Sequence, residues 1–387
     1  MKVLFLNYEY PPLGGGAANA TAALLTEWQA VKGVEVLLVT SSIGREFERK
    51  QLGPDIKIHR LPIGKNPRNL HHQSLWNLLV YSARAWWYVR QLIRSQQFQF
   101  DVTLAFFGVP CGFVALLLKW EFGSPYIVSL RGSDVPGYSR KYAWLYPLLR
   151  PIIRFVWKGA AAVIPNSAGL EALARKTAPS QSFTIIENGV DTKRFMPDPS
   201  KRLTNLFVIT PGASRVTERK GLNYLIEAVA LLASRYPHIQ LKVMGDGSAR
   251  PSLEVLVKEK KLEDKVAFLG RIPREKTVPY YQEASLFVLP SLNEGMSNAM
   301  LEALASGLPI IATDTGGTRE LVTDGVNGIV VPLQSAEKIA EAIEGFLQDS
   351  DRLRRFGEAS RARAEAQSWS SVARQFRNIL EETKKSS

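Results

Sequence analysis

The residues best suited to chemistry lie in one short stretch, Glu294-Gly-Met-Ser-Asn-Ala-Met-Leu-Glu302. Two carboxylates are eight residues apart, and Gly295, Ser297 and Asn298 lie between them. A strand-like run, Ser285-Leu-Phe-Val-Leu-Pro290, comes before; a helix-like run ending ahead of Gly307 and Pro309 comes after. This pattern predicts Glu294 on a turn, Ser297 or Asn298 capping a helix, and Glu302 about two turns into it. A capped helix start offers unpaired N–H groups and the positive end of the helix dipole, which suit phosphate. One carboxylate beside that pole and another deeper would fit a ligand with a diphosphate centre and hydroxyls on either side. The alternative for two Glu at this spacing is a solvated helix face.

A second cluster, Gly212-Ala-Ser-Arg215-Val-Thr-Glu-Arg-Lys220-Gly221, follows a strand predicted over 205–211. Ligands usually bind at the C-terminal edge of parallel strands. Arginine offers a planar fork for two phosphate oxygens and lysine a point charge, so Arg215 and Lys220 are candidate phosphate ligands. Arg219 reads as a solvated neighbour. Gly245-Asp-Gly247 and Gly270-Arg271-Ile272 end strands on what would be the same edge. The backbone from Met296 through Ser297 and Asn298 to Ala299 could hold hydroxyls or phosphate.

These clusters, in this order, resemble the retaining glycosyltransferases of family 4, which share the two-domain GT-B fold. Glu294 and Glu302 match that family's Glu-x7-Glu, and Arg215 with Lys220-Gly221 its Arg-x4-Lys-Gly. Asn188-Gly-Val-Asp191 with Phe195 and Pro197 resembles its hinge, and Gly316-Gly317-Thr-Arg-Glu320 also fits. The resemblance spans nearly the whole chain. It implies a nucleotide-sugar donor, UDP ahead of GDP, with Glu302 on the ribose, Glu294 on the donor sugar, and Arg215 and Lys220 on the diphosphate. It implies that Gly15 and Gly16, in Pro11-Pro-Leu-Gly-Gly-Gly16, belong to a loop closing over the diphosphate from the opposite domain. The Rossmann pattern fails there, because Ala17 or Asn19 stands where a further glycine is needed. In Ser129-Leu-Arg131-Gly-Ser-Asp134, many relatives carry histidine where this chain has Arg131. Arginine cannot relay protons near neutral pH, but it can pin a phosphate or an anionic acceptor. Asp134 either binds acceptor or sugar, or caps the following turn. No cofactor and no metal are expected. His59, His71, His72 and His238 form no ligand-spaced cluster, and Asp349-Ser-Asp351 reads as a helix boundary.

The elements that must position these residues follow from the hydrophobic pattern. Strand candidates cover 2–8, 34–40, 56–61, 101–107, 125–130, 161–165 and 183–187. Others cover 205–211, 239–244, 265–269, 285–290, 308–313 and 328–331. Helical patterns, such as 18–31, 221–235, 250–261 and 335–348, alternate with them, which argues for parallel sheets covered by helices on both faces. The expected fold class is therefore α/β, with two Rossmann-like doubly wound domains facing a cleft. The boundary is expected near Phe195-Met-Pro-Asp-Pro-Ser200, giving domains 1–195 and 196–368. A last helix from Trp369 (residues 369–387) returns to the first domain by resemblance, with Lys384-Lys-Ser-Ser387 frayed.

The chain has 387 residues and a formal charge of +13. Residues 1–195 carry 23 Lys/Arg against 12 Asp/Glu, and the window 57–158 carries 14 against 3. Trp76, Trp86, Trp87, Trp120, Trp144 and Trp157 fall in that window. Basic residues with interfacial aromatics suggest an anionic membrane surface or an anionic acceptor. Nucleic acid is not expected as a partner, since no nucleic-acid module appears. The segments 74–95 and 140–158 mix Trp, Tyr, Leu and Arg at helical spacing. They either pack their apolar stripe on a sheet or present a lipid-linked acceptor at a membrane. The single Cys111 reads as buried filler. Residues 1–7 read as a first strand rather than a signal segment, and 102–118 as strand, turn and helix rather than a membrane span. The expected setting is cytoplasmic, at or near the inner face of a membrane, in cell-envelope polysaccharide or glycolipid assembly. The acceptor would be a carbohydrate or a lipid-linked carbohydrate. The competing readings are a catalytically idle nucleotide-sugar-binding protein, a nucleotide-sugar epimerase and a basic membrane-surface adaptor.

Overall fold

A computed structural model describes residues 1–65, 73–138, 144–294 and 296–385, without the side chains of Ala213 and Ser214. Gly295, His71, His72, residues 140–143 and Ser386-Ser387 therefore lie outside the described residues. The chain divides into two compact units, Met1–Asn188 together with the stretch from Trp369, and Gly189–Ser368.

The first unit holds β1 (Lys2–Leu6), β2 (Glu35–Ser42), β3 (Glu48–Gln51), β4 (Ile56–Pro62), β5 (Val102–Phe106), β6 (Tyr126–Leu130) and β7 (Ala162–Pro165). Its helices are α1 (Gly16–Gln29), α2 (Leu75–Arg94), α3 (Phe113–Phe122), α4 (Tyr146–Gly159) and α5 (Ala168–Thr177). The strand order is β3-β4-β2-β1-β5-β6-β7, parallel except for the antiparallel edge strand β3. Central strands β5 and β6 are buried along their whole length and β1 from Val3 onward, and all three are mostly apolar, with Thr103 and Ser129 as buried polar exceptions, as expected of helix-covered parallel strands.

The second unit holds β8 (Phe207–Thr210), β9 (Ala213–Arg215), β10 (Ile239–Asp246), β11 (Val266–Gly270), β12 (Leu286–Leu289), β13 (Ile310–Thr313) and β14 (Gly328–Val331). Its helices are α6 (Leu222–Ala233), α7 (Arg250–Glu259), α8 (Val278–Glu283), α9 (Asn298–Ala305), α10 (Thr318–Leu321), α11 (Ala336–Leu347) and α12 (Ser350–Ala366). The order is β11-β10-β8-β12-β13-β14, with β9 beside β10 and every pairing parallel. Both sheets are thus doubly wound. The final helix, α13 (Trp369–Lys385), buries Val372, Ala373, Phe376 and Leu380 in the first unit. There the Trp28 indole donates to the Ala373 carbonyl at 3.1 Å, and Lys384 pairs with Asp101 at 3.0 Å.

Three expectations need correction. Residues 183–187 do not form a strand; they run beside β7, the alternate amides of Thr184 and Ile186 donating to the carbonyls of Val163 and Pro165. The short strands β3 and β9 escaped the pattern, because ERKQ is fully polar and β9 has three residues. The division falls at Asn188, ahead of the Pro-rich break. The reason is packing: Phe195 is buried against Tyr281, the Val190 amide donates to Gln367, and Arg361 donates to the carbonyls of Thr192 and Phe195.

Cys111 is fully buried and its thiol is pushed well up by burial. Asp349 caps α12 through the Arg352 amide. His59 on β4 bonds the Tyr88 hydroxyl on α2 at 2.9 Å and meets the Phe47 ring. Burial first, then Arg49 and Lys57, lower its pKa from 6.5 to about 4. The fold therefore favours neutral His59. Its contribution to stability is complete above pH 6.5 and is lost as pH falls through about 4. Acid unfolding followed by circular dichroism should show a limb across that window, and His59→Phe should flatten it.

Candidate functional site

In the second sheet the winding reverses between β8 and β12, so the loops leaving these two strands diverge and leave a crevice at the C-terminal edge. The loop after β8 turns at Gly212, with φ +73; a Cβ there would lie 2.7 Å from the Tyr281 hydroxyl and 3.0 Å from the Ala299 Cβ. It continues as β9, with Arg215 level with Asp246, and ends in a helical turn over Glu218–Lys220. Gly221 closes it with φ +61, where a Cβ would be 2.2 Å from the Pro290 carbonyl oxygen. Only glycine permits this approach of the two loops. The Leu292 amide then donates to the Arg219 carbonyl at 2.8 Å.

The loops bring together residues 74 positions apart in sequence. Lys220 Nζ donates to Glu294 Oε2 at 2.5 Å, and Ser291 Oγ donates to the same oxygen at 3.3 Å. The Lys220 and Glu294 side chains are 10% and 17% exposed. Glu294 is thus the counter-ion of Lys220 rather than a helix cap. An ammonium has three donors, and Glu294 takes one of them. Arg215 is exposed and makes no hydrogen bond or ion pair among the described residues. The Gly317 amide donates to the Glu294 carbonyl at 3.3 Å, placing the Gly316-Gly317 loop beside it.

The cap of α9 is Ser297, whose Oγ accepts from the Met300 amide at 3.4 Å; Asn298 is the first helical residue. Because the helix begins only there, Glu302 lies just over one turn in, not two. Ala299, Ser297 and Glu302 are buried, and Met296 is half-buried. Arg274 grips Glu302 Oε1 through Nε at 3.0 Å and a terminal nitrogen at 2.9 Å, while Tyr281 donates to Oε2 at 3.0 Å. Burial pushes the Glu302 carboxyl up, and Arg274 opposes the shift. Gly245 is the penultimate residue of β10, and exposed Arg271 with half-buried Ile272 follows β11 on the same edge. Sequence reading missed Arg274 and Tyr281. Within the run Arg274-Glu-Lys276, nothing distinguishes a gripping arginine from a solvated one.

In the first unit the loops after β1 and β5 flank the corresponding reversal. Gly15 stands at the start of α1, its amide donating to Glu9 Oε2 at 3.3 Å, and Gly16 is the first helical residue rather than part of the loop. Asp134 is buried and committed to backbone: it accepts from the amides of Gly108, Arg131 and Gly132 at 2.8, 3.0 and 2.9 Å. It ties the loops after β5 and β6 together. The Arg131 guanidinium lies 3.6 Å from the centre of the Phe106 ring and donates to Asn188 Oδ1 at 2.9 Å. Burial lowers its pKa to about 9, against the pull of Asp134, so it stays cationic at neutral pH.

The Lys220–Glu294 pair is enclosed enough that removing one partner strands the other charge. A double-mutant cycle of Lys220→Met and Glu294→Gln, read by chemical unfolding, should give a coupling of about 1–3 kcal/mol. Additive single losses would show that the pair is not coupled.

Comparison with known proteins agrees with this architecture. The family model for group 1 glycosyl transferases matches residues 194–363, and that for the glycosyl transferase 4-like domain matches residues 15–189. The putative colanic acid biosynthesis glycosyltransferase WcaL of Escherichia coli is 30% identical over 312 residues, 74% of this chain and 73% of that one. The GDP-mannose-dependent alpha-(1-6)-phosphatidylinositol monomannoside mannosyltransferase of Mycobacterium tuberculosis is 28% identical over 298 residues, 72% of this chain and 76% of that one. Sucrose-phosphate synthase of Thermosynechococcus elongatus superposes with a TM-score of 0.80 at 23% identity over all of both chains, which bears on the fold alone. The doubly wound sheets, the two family matches and a relative shared along most of both chains lead to one conclusion: this protein belongs to the group 1 glycosyltransferases of the GT-B superfamily.

Proposed function

We propose that the protein moves a sugar from a nucleoside diphosphate to an acceptor hydroxyl with retention at the anomeric carbon, in glycolipid or polysaccharide assembly on the cytoplasmic side of a membrane. The observation that carries this reading is the convergence of Lys220, Glu294 and the Ser297-capped start of α9 at one sheet edge, with unpaired Arg215 on the loop that ends in Lys220. In this reading Arg215 and Lys220 take the diphosphate oxygens. Their charge stabilises the leaving group as negative charge grows on it, the part a metal plays elsewhere. Amides from Met296 to Ala299 meet phosphate or sugar hydroxyls, Glu294 meets the donor sugar, and Glu302 accepts from the ribose diol. Gly245, Arg271 and Ile272 frame the base. The bond from the anomeric carbon to the diphosphate oxygen breaks, the bond to the acceptor oxygen forms, and the acceptor proton passes to the departing diphosphate. Neither Glu294, paired with Lys220, nor Glu302, gripped by Arg274, is an unengaged nucleophile, which favours this same-face path over a double displacement. Uridine is proposed first as the base. Guanosine stands beside it because the mycobacterial relative is named as GDP-mannose-dependent.

The test is a thermal-shift titration with UDP, GDP and ADP. Ligand at about one hundred times its dissociation constant should stabilise the fold by ~2.7 kcal/mol. One nucleotide should do so, and Arg215→Ala and Lys220→Ala should each abolish the shift. With the matching nucleotide sugar, Lys220→Ala should lower kcat by about 10²–10³-fold. A folded protein that responds to no nucleoside diphosphate would overturn the donor site.

A further inference from the structure

A cavity of about 390 Å³ lies in the first unit, between α2 and α4, within the ~300–1,000 Å³ range of ligand sites. Its walls are apolar: Leu75, Leu78 and Leu79 of α2 face Leu149 and Ile153 of α4. Its far end is polar, formed by Tyr8 and Glu9 after β1 and by Ser133 and Asp134 after β6. That end sits on the C-terminal edge of the first sheet, where the loop after β1 begins.

The two helices that wall the cavity are themselves unusual for a soluble surface. Each buries one stripe, Tyr81, Ala85 and Val89 on α2 and Ile153, Val156 and Trp157 on α4. Each also exposes a second apolar stripe. On α2, Trp76 is 70% and Leu79 64% exposed; at α4, Trp144 is 71% and Leu148 72% exposed, with Phe155 further along. Large apolar patches of this kind mark interaction surfaces. Neither helix contains Asp or Glu; α2 carries Arg84, with Arg90 and Arg94 paired to Glu121 of α3, and α4 carries Arg150, Arg154 and Lys158. Two acid-free helices with exposed Trp, Leu and Phe beside cations complement an anionic lipid surface. Among the described residues no helix is long and apolar enough to cross a membrane.

We infer that the acceptor is an amphiphile drawn from an anionic membrane: its hydrocarbon chain runs between α2 and α4, and its hydroxyl-bearing headgroup reaches the polar end of the cavity. The inference rests on the glycosyltransfer reading and narrows its acceptor to the lipid-linked class. The exposed stripes enter the lipid interface, the cations meet lipid phosphates, and the cavity takes one chain out of the bilayer.

The full-length protein is titrated with hexyl and decyl maltoside below their micelle-forming concentrations, with binding read by calorimetry. Each buried methylene is worth about a fourfold gain in affinity, so the four extra methylenes of decyl maltoside should tighten binding over hexyl by up to about 250-fold, at one site per chain. Ser82→Trp, which fills the cavity from α2, and Leu79→Gln, at an exposed position, should each remove that chain-length gain. Both should retain the thermal shift with nucleoside diphosphate, so a failed donor site is recognised separately. Sedimentation with vesicles should show binding to phosphatidylglycerol over phosphatidylcholine, and the pair Arg150→Glu with Lys158→Glu should weaken it by about tenfold. Equal affinity for the two maltosides, or a chain-length gain that survives Ser82→Trp, would overturn the proposal. So would a concentration-dependent dimer abolished by Leu79→Gln, which would assign the face to a second copy of the chain.

Discussion

The second unit depends on one close approach: the αL turn at Gly221 against the carbonyl of Pro290. It holds the loop after β8 against the loop after β12, at the point where the sheet reverses its winding. Without it, Lys220 and Glu294 would sit on neighbouring but separate loops. With it, their charges meet in a setting mostly shielded from water, where each needs the other. The same loop leaves Arg215 in solvent, with no partner among the described residues. One arginine is therefore available to a ligand, while one lysine is held in position by a carboxylate.

Glu302 shows a related arrangement reached by a different route. A carboxylate just over one turn into a buried helix would be costly if isolated. Arg274 and Tyr281, from the segment after β11, supply the donors that keep it tolerable. Arg274 is 42% exposed while the Glu302 side chain is only 6% exposed. The arginine thus shields one carboxylate oxygen from the solvent side. The segment that frames this edge also opposes the upward push of burial on the Glu302 carboxyl.

The first unit uses its polar residues differently. Asp134 and Arg131 have residue types suited to ligand binding, yet their described contacts are largely internal. Asp134 gathers three amides from two loops, and Arg131 lies flat on Phe106 with Asn188 at its edge. This unit also presents apolar surface: two helices with an outward stripe each and a cavity between them. Helical spacing of Trp, Leu and Arg in segments 74–95 and 140–158 allowed either a buried stripe or a surface one. Within the described residues both are present, because a helix carrying apolar residues on two sides can bury one side and expose the other.

Apart from β3, β9 and the stretch 183–187, the order of strands and helices was legible in the sequence, because parallel strands covered on both faces are nearly continuous apolar runs and helices show a stripe. So were the residue types gathered at the second sheet's edge, since glycines and charges immediately after strands mark loops at that edge. Tertiary structure alone decided which of those charges would meet. The pairing of Lys220 with Glu294 depends on strand order, which places β8 beside β12 although β9, β10 and β11 lie between them in sequence. The Arg274 grip on Glu302 and the three amides gathered by Asp134 were equally invisible, and the choice of Ser297 over Asn298 as the cap of α9 was left open. Each depends on what a side chain meets in space, and local pattern carries the period of an element but not the identity of its distant neighbours.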